Sequence, residues 1–528
     1  MFRNSTNILS HYPWVNQMPI GIMMAYFIVQ SYNFPIHDFA NYFFAGKLLV
    51  KGQFGEHLYD PGTFNLLIHE MGYEGIFANY APNVPFFAIF YSPLSILPVI
   101  DAKLLVNSVS ALAFIWSVDR IFRYLNIPRY SFLVLPILLY VPIRNSLLFG
   151  QPYLLMISLM LEGFIAFDRG KTMIGIILWI IPAALKLTPG VILLYLLSRK
   201  KYQSAGLFII AGISVIFLTF LIVHPDVYFF YFEKMGSKIA LGDLVSNGFN
   251  YTQQTILALN KYLFVFHDPQ NPEPWIDAFW LFIFMVSVSS AVIVFLTYLA
   301  SSKSRNEFHA FSLWIFLILF LSSYSSSYAR IFIVFIWIAI WQKGINVRSA
   351  LITLLLFMYC NMPYRWLEHL PLLIKFIGLI IITLVFCVSI EWDFTVRKYL
   401  KQLTIVIVFL ITINIYRFPD DYTTSYPVFS EKVRLLLDYE LKDSLIVYHH
   451  WNGEYNTERW PEPVHRLDAD LDIQENQIYL NGKQITSSAD TKKNPILLQD
   501  GRIIFMSDLG RGYGFYTLRY IMSNDTTF

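Results

Sequence analysis

Long apolar runs, broken by short polar stretches, dominate the first four hundred residues of the chain. A helix needs about 20 mostly apolar residues to cross a hydrocarbon core. Such runs fall near 17–34, 100–118, 131–148, 152–168, 204–223, 275–300, 308–324, 329–342, 370–391 and 403–417. Basic residues gather between them, at Arg120/Arg123/Arg129, Arg169/Lys171, Arg199/Lys200/Lys201, Lys303/Arg305, Lys343/Arg348 and Arg397/Lys398/Lys401. Cytoplasmic loops carry such an excess of lysine and arginine, so each cluster is expected on that side.

Two shorter runs complete the alternation. The stretch Thr172–Ser198 has basic residues at both ends. A single span would put one cluster outside, whereas a break at Lys186-Leu187-Thr188-Pro189 gives two short helices with an outward tip. Proline stops a helix, and a lysine at that depth needs water or an anion. The stretch Ser349–Asn361 is the second, ending at Pro363-Tyr364-Arg365-Trp366. The pattern predicts about thirteen crossings, a cytoplasmic N-terminus and an outer C-terminus. No small-residue cleavage site follows the first run, which is therefore expected to stay as an anchor.

Two outer loops are large, Pro35 to about Ile100 and His224 to Pro274. Ordered loops of this length are usually functional. Within the first, Val84–Leu97 is apolar but proline-rich and reads as an interfacial or re-entrant piece. After Arg417 the pattern changes to that of a water-facing domain. Ile478-Tyr479-Leu480-Asn481-Gly482-Lys483-Gln484-Ile485 predicts a hairpin through a type I′ turn, and Asp500-Gly501 predicts a second. The expected organisation is a mostly α, polytopic membrane domain over 1–417 and a small β-rich extracytoplasmic domain over 418–528.

Composition sharpens this picture. Of 528 residues, 56% are hydrophobic and 14% charged, against roughly a quarter charged in soluble domains. A net charge of +3 points away from a nucleic-acid partner. Cys360 and Cys387 lie in apolar segments and predict no disulfide. No phosphate-binding glycine motif and no repeat occurs, which argues against an ATP-driven pump.

A few polar residues stand out at predicted outer ends. Asp38 follows the first span and can be read as a general base or as a cap for the helix that starts at Phe39. His37 beside it reads as an interfacial polar residue or a catalyst. Gln151 lies in the tight turn Gly150-Gln151-Pro152 and can donate to a polar ligand. Lys186 marks an anion site or reaches lipid phosphate. Gln253-Gln254-Thr255 offers uncharged hydrogen-bonding groups, and Arg330 is either an interfacial anchor or a phosphate contact.

Taken in order, Asp38, Gly52, Leu58-Tyr59-Asp60, Tyr80-Ala81-Pro82, Ser92-Pro93-Leu94 and Leu97-Pro98 resemble the first outer loop of glycosyltransferase family 87. The resemblance continues through Gly150-Gln151, Arg169-Gly170-Lys171, Gly175, Lys186-Leu187-Thr188-Pro189 and Gln253-Gln254-Thr255-Ile256, and spans about 20–345. That family has the GT-C fold and contains polyprenol-phosphate-sugar-dependent mannosyltransferases. The resemblance implies that Asp38 is the catalytic base, and that Lys186 and Gln151 lie near the donor phosphate. His37, Tyr80, Gln254 and Arg330 complete the expected substrate contacts. The chain has Ser327-Tyr328-Ala329-Arg330 where the family often has a Ser-Trp-x-His-His-like element, and its β-rich tail lies outside the family's common core.

The resulting expectation is an inverting transferase of the plasma (inner) membrane. It would move a sugar, mannose first, from a polyprenyl-phosphate donor to an extracytoplasmic glycan or glycolipid. No cofactor is called for, and a divalent cation is left open. A flippase or transporter for a lipid-linked sugar is the alternative, although such proteins place polar sites near the bilayer midplane. A non-catalytic assembly protein is a third reading.

Overall fold

The computed structural model describes residues 13–36, 38–236, 251–266, 271, 273–323, 325–367, 369–390, 400–417 and much of 426–523. The chain is mostly helical up to Arg417 and β-rich after it. It forms two compact units: one of 1–39, 93–222 and 249–414, the other of 40–92, 223–248 and 415–528.

Sequence punctuation explains the helices of the first unit. The helix Met18–Asn33 has a proline in its opening turn and ends before Phe34-Pro35, since the residue before proline is pushed out of helical geometry. Val99–Tyr124 starts directly after Pro98, with Asp101 in its first turn and Arg123 in its last, the charge order its macrodipole favours. Val347–Asn361 opens with a reciprocal cap between Asn346 and Ser349. The run 172–198 breaks where proline and lysine fall: a helix ends at Leu185, a short turn covers Thr188–Val191, and Ile192–Ser198 follows.

Helix length departs from the expected thirteen full crossings. Among the described residues, Val99–Tyr124, Tyr202–Thr219 and Phe279–Lys303 are long and apolar enough to span alone. Arg129–Leu138 and Tyr140–Phe149, bent by 69°, make a fourth if counted together. Other predicted spans are shorter helices, among them Glu307–Leu321 and Ala329–Trp341. The apolar piece in the first outer loop is a short helix, Phe86–Tyr91, followed by a tighter turn Ser92–Ile96.

The second unit joins the rest of the first outer loop to the tail. Four antiparallel strands lie in the order Tyr426–Pro427, Thr517–Met522, Arg502–Ser507, Lys492–Leu497. Ile504 and Met506 pack with Ile446 and Tyr448, whereas Ile503 and Phe505 pack with Ile478. Side chains alternate across a strand, so Arg502–Ser507 is buried on both faces. Asn481 and Gly482 both have positive φ, 52° and 78°, as a type I′ turn requires. Asp60 caps the helix Pro61–Glu70 by accepting from the Gly62 amide at 2.9 Å. The same carboxylate pairs with Lys493, also at 2.9 Å, so outer-loop and tail residues share this unit.

Candidate active site

The first unit has an ion-paired end and, one helix length away, a polar cluster around Asp38. At the paired end Arg120 meets Glu162 at 2.6 Å, and Asp119 holds Arg123 at 2.6 Å and Arg129 at 3.4 Å. These groups close the C-terminal turns of Val99–Tyr124, whose first turns carry Lys103. Twenty residues separate Lys103 from Arg123, which at 1.5 Å per residue is about 30 Å. That is about the thickness of a hydrocarbon core.

Asp38 is half-buried in the turn between Met18–Asn33 and Phe39–Val50. Gln151, itself 2% exposed, donates from Nε2 to Asp38 Oδ2 at 2.5 Å. The turn that carries Gln151 depends on Gly150, which caps Tyr140–Phe149 in the left-handed conformation at φ +68°. A Cβ there would lie 2.6 Å from Phe39 Cβ. The glycine thus sets both the turn and the approach of the segment bearing Asp38.

Two lysines and two tyrosines complete the cluster. Lys186 lies in the break after Leu185, and burial pushes its ammonium down to about 8 against the opposing pull of the Asp38 carboxylate. The Tyr328 hydroxyl hydrogen-bonds to Asp38, and burial, with that carboxylate behind it, raises the phenol well above its ordinary value. It therefore stays protonated and acts as a donor. The Tyr328 ring lies 5.3 Å from that of Tyr153 and 6.1 Å from that of Phe149. Tyr153 and Lys103 also interact electrostatically with Asp38.

The expected site residues differ in the partners that the structure gives them. Asp38, Gln151 and Lys186 come together, whereas Arg330 belongs to a second polar group in the same unit. Arg330 is 3% exposed and donates from Nη2 to the Thr252 carbonyl at 2.6 Å. Its guanidinium lies 4.3 Å from the Tyr364 ring centre and 5.5 Å from that of Tyr359. The hydroxyls of Tyr359 and Ser325 lie buried in the same group, where the Tyr359 hydroxyl interacts with both Ser325 and Arg330. No group of three or more metal-ligating His, Cys, Asp or Glu occurs among the described residues.

Two expected substrate contacts have other partners in the structure. Gln254 is fully buried; its amide donates to the Tyr251 and Lys375 carbonyls and accepts from the Leu379 amide. Those bonds leave it binding backbone. Tyr80 is fully buried in the second unit, with its hydroxyl on the Val84 carbonyl at 2.9 Å. His37 lies outside the described residues.

The ordered polar positions along the chain also bear comparison with known proteins. Residues 83–323 match glycosyltransferase family 87. That match, over somewhat less than half of the chain, implies a membrane glycosyltransferase, an activity that uses a sugar donor and an acceptor. Gln151, Lys186 and Gln254 fall within the matched family 87 region, while Asp38 and Tyr80 precede it and Arg330 follows it. No curated protein and no solved structure matches the chain.

Lys103, Tyr153 and Tyr328 join the cluster without standing out as site residues in the sequence. A lysine in the first turn of an otherwise apolar span was the available signal for Lys103. Tyr328 stood in the open, within the segment that departs from the family's histidine-containing element.

Proposed function

We propose that the chain transfers a sugar, mannose first among candidates, from a polyprenyl-phosphate donor to a hydroxyl of an extracytoplasmic glycan or glycolipid. The observation that carries the proposal is the hydrogen-bonded Asp38–Gln151 pair with Lys186 in its electrostatic reach. On this reading the chain has the GT-C fold, with about thirteen crossings, in the plasma (inner) membrane. The basic, ion-paired end is cytoplasmic and the β-rich tail extracytoplasmic.

In the proposed reaction the acceptor oxygen attacks the anomeric carbon while the bond from that carbon to the phosphate oxygen breaks. Asp38 takes the hydroxyl proton as general base. Polyprenyl phosphate departs as an anion, and the configuration at the sugar inverts. Lys186 offsets the developing phosphate charge, a contribution that grows as the bond breaks. Gln151 and Tyr328 both donate to the Asp38 carboxylate and so orient it toward the acceptor. Arg330, a buried cation, is a further phosphate contact in this reading.

Purified protein given labelled polyprenyl-phosphate mannose and an acceptor panel tests the proposal. The expected result is a glycosidic product from wild type, with Asp38→Asn slower by about 10²–10⁴-fold at unchanged folding. Undiminished turnover in that variant would remove Asp38 as base. Movement of the lipid between leaflets without product would favour a transporter instead.

A further inference from the structure

We infer that Lys103 is a positioning residue for Asp38: its buried ammonium ties down the turn that presents the carboxylate and supplies positive charge beside it. The inference rests on the reading of Asp38 as the base. Lys103 is fully buried, so it is not placed to touch substrate. Its Nζ donates to the Pro35 carbonyl at 3.1 Å and to the Ser31 carbonyl at 3.4 Å, and lies 5.6 Å from the Phe34 ring centre. These three residues are the end of Met18–Asn33 and the turn that leads to Asp38.

Neutral polar groups alone could satisfy those carbonyls. Asn107, one turn further along the same helix, does this kind of work, donating to Ser31 Oγ at 3.2 Å and to the Leu147 carbonyl at 2.8 Å. A cation at Lys103 adds what an amide cannot. A buried ammonium is retained where an opposite charge compensates it, and Asp38 is the carboxylate acting on this one. Among the described residues, the charged or titratable groups that act on or are acted on by Asp38 include Lys103 from Val99–Tyr124, Lys186 from the break after Leu185, Tyr153 from the helix after Gln151, and Tyr328 from the segment before Ala329. Gln151 adds a neutral donor. Lys186 would remain as a second cation in a Lys103 variant, so the effect of losing Lys103 is partial.

The test is the pH profile of kcat/KM for wild type, Lys103→Met, Lys103→Gln and Lys103→Arg, with Asp38→Asn in parallel. Loss of the charge should move the acid limb up by about 0.5–1 pH unit, while Lys103→Arg returns it to the wild-type position. The donor KM should stay within about twofold, because the residue acts through Asp38. Lys103→Gln keeps a hydrogen-bonding group without the charge and carries the test if Lys103→Met does not fold. An unmoved acid limb in the neutral variants, with Asp38→Asn inactive, overturns this inference alone. A fully active Asp38→Asn overturns the base assignment and this inference with it.

Discussion

Gly150 is the residue on which the geometry at Asp38 turns most directly. Its left-handed backbone and its contact with Phe39 leave no room for a side chain. Gly150→Ala should lose about 1–2 kcal/mol from backbone strain, and more from displacing Phe39. The expected outcome is a lower thermal midpoint together with slower transfer, measured on detergent-solubilised protein. Lys186 gives a second prediction at this scale. Its ammonium is intact below about 8 and is lost as pH rises through that value. Transfer that depends on the cation should therefore fall on the alkaline side near pH 8. Arginine remains charged throughout this range, so Lys186→Arg should push the fall upward by more than about one pH unit. A profile unchanged by that substitution would leave Lys186 without the proposed part in phosphate departure. Asp38, Gln151 and Lys186 could be found in the sequence because each is polar at the end of an apolar run. Lys103 is not legible in the sequence because its meaning depends on which carbonyls fold back onto it, and the backbone partners of Tyr80 and Gln254 are likewise set only by the fold.

Between neighbouring helices, close approach depends on small residues. A Cβ on Gly163 would meet Trp179 at 2.5 Å, and one on Gly175 would meet Phe167 at 2.8 Å. Tyr153–Asp168 and Thr172–Leu185 therefore pack backbone to backbone, as small residues permit in membrane helices. The Trp179 indole fixes the register by donating to the Met160 carbonyl at 3.1 Å. One of these helices follows directly on Gln151 and the other ends beside Lys186. Gly175→Leu should force the pair apart, destabilising the protein by about 1–3 kcal/mol. Transfer should fall with it; the paired readings are thermal midpoint and rate. Hydrophobic runs and proline positions made most of these elements legible beforehand, including the break at Lys186 and both hairpins of the tail. Their lengths were less legible. An apolar run such as 131–148 reads as one span, yet it is bent by 69° between Leu138 and Tyr140.

At the scale of the whole molecule, the ion pair between Asp60 and Lys493 joins residues 433 positions apart. Lys493 also lies 4.8 Å from the Tyr516 ring centre, and the Asp60 side chain is only 11% exposed. Lys493→Ala should leave a largely buried carboxylate with only its capping bond, at a loss of about 1–3 kcal/mol. The readout is protease sensitivity of the tail alongside the thermal midpoint. The same pair limits how the polypeptide threads through lipid. Since segments 40–92 and 415–528 fold as one body, they must emerge from the same leaflet. The intervening stretch, 93 to 414, must then pass from side to side an even number of times, however its short helices are paired. Impermeant thiol reagents should label single cysteines placed at Gly72 and Lys483 from one compartment only. Labelling from opposite compartments would mean that this body cannot assemble in a bilayer.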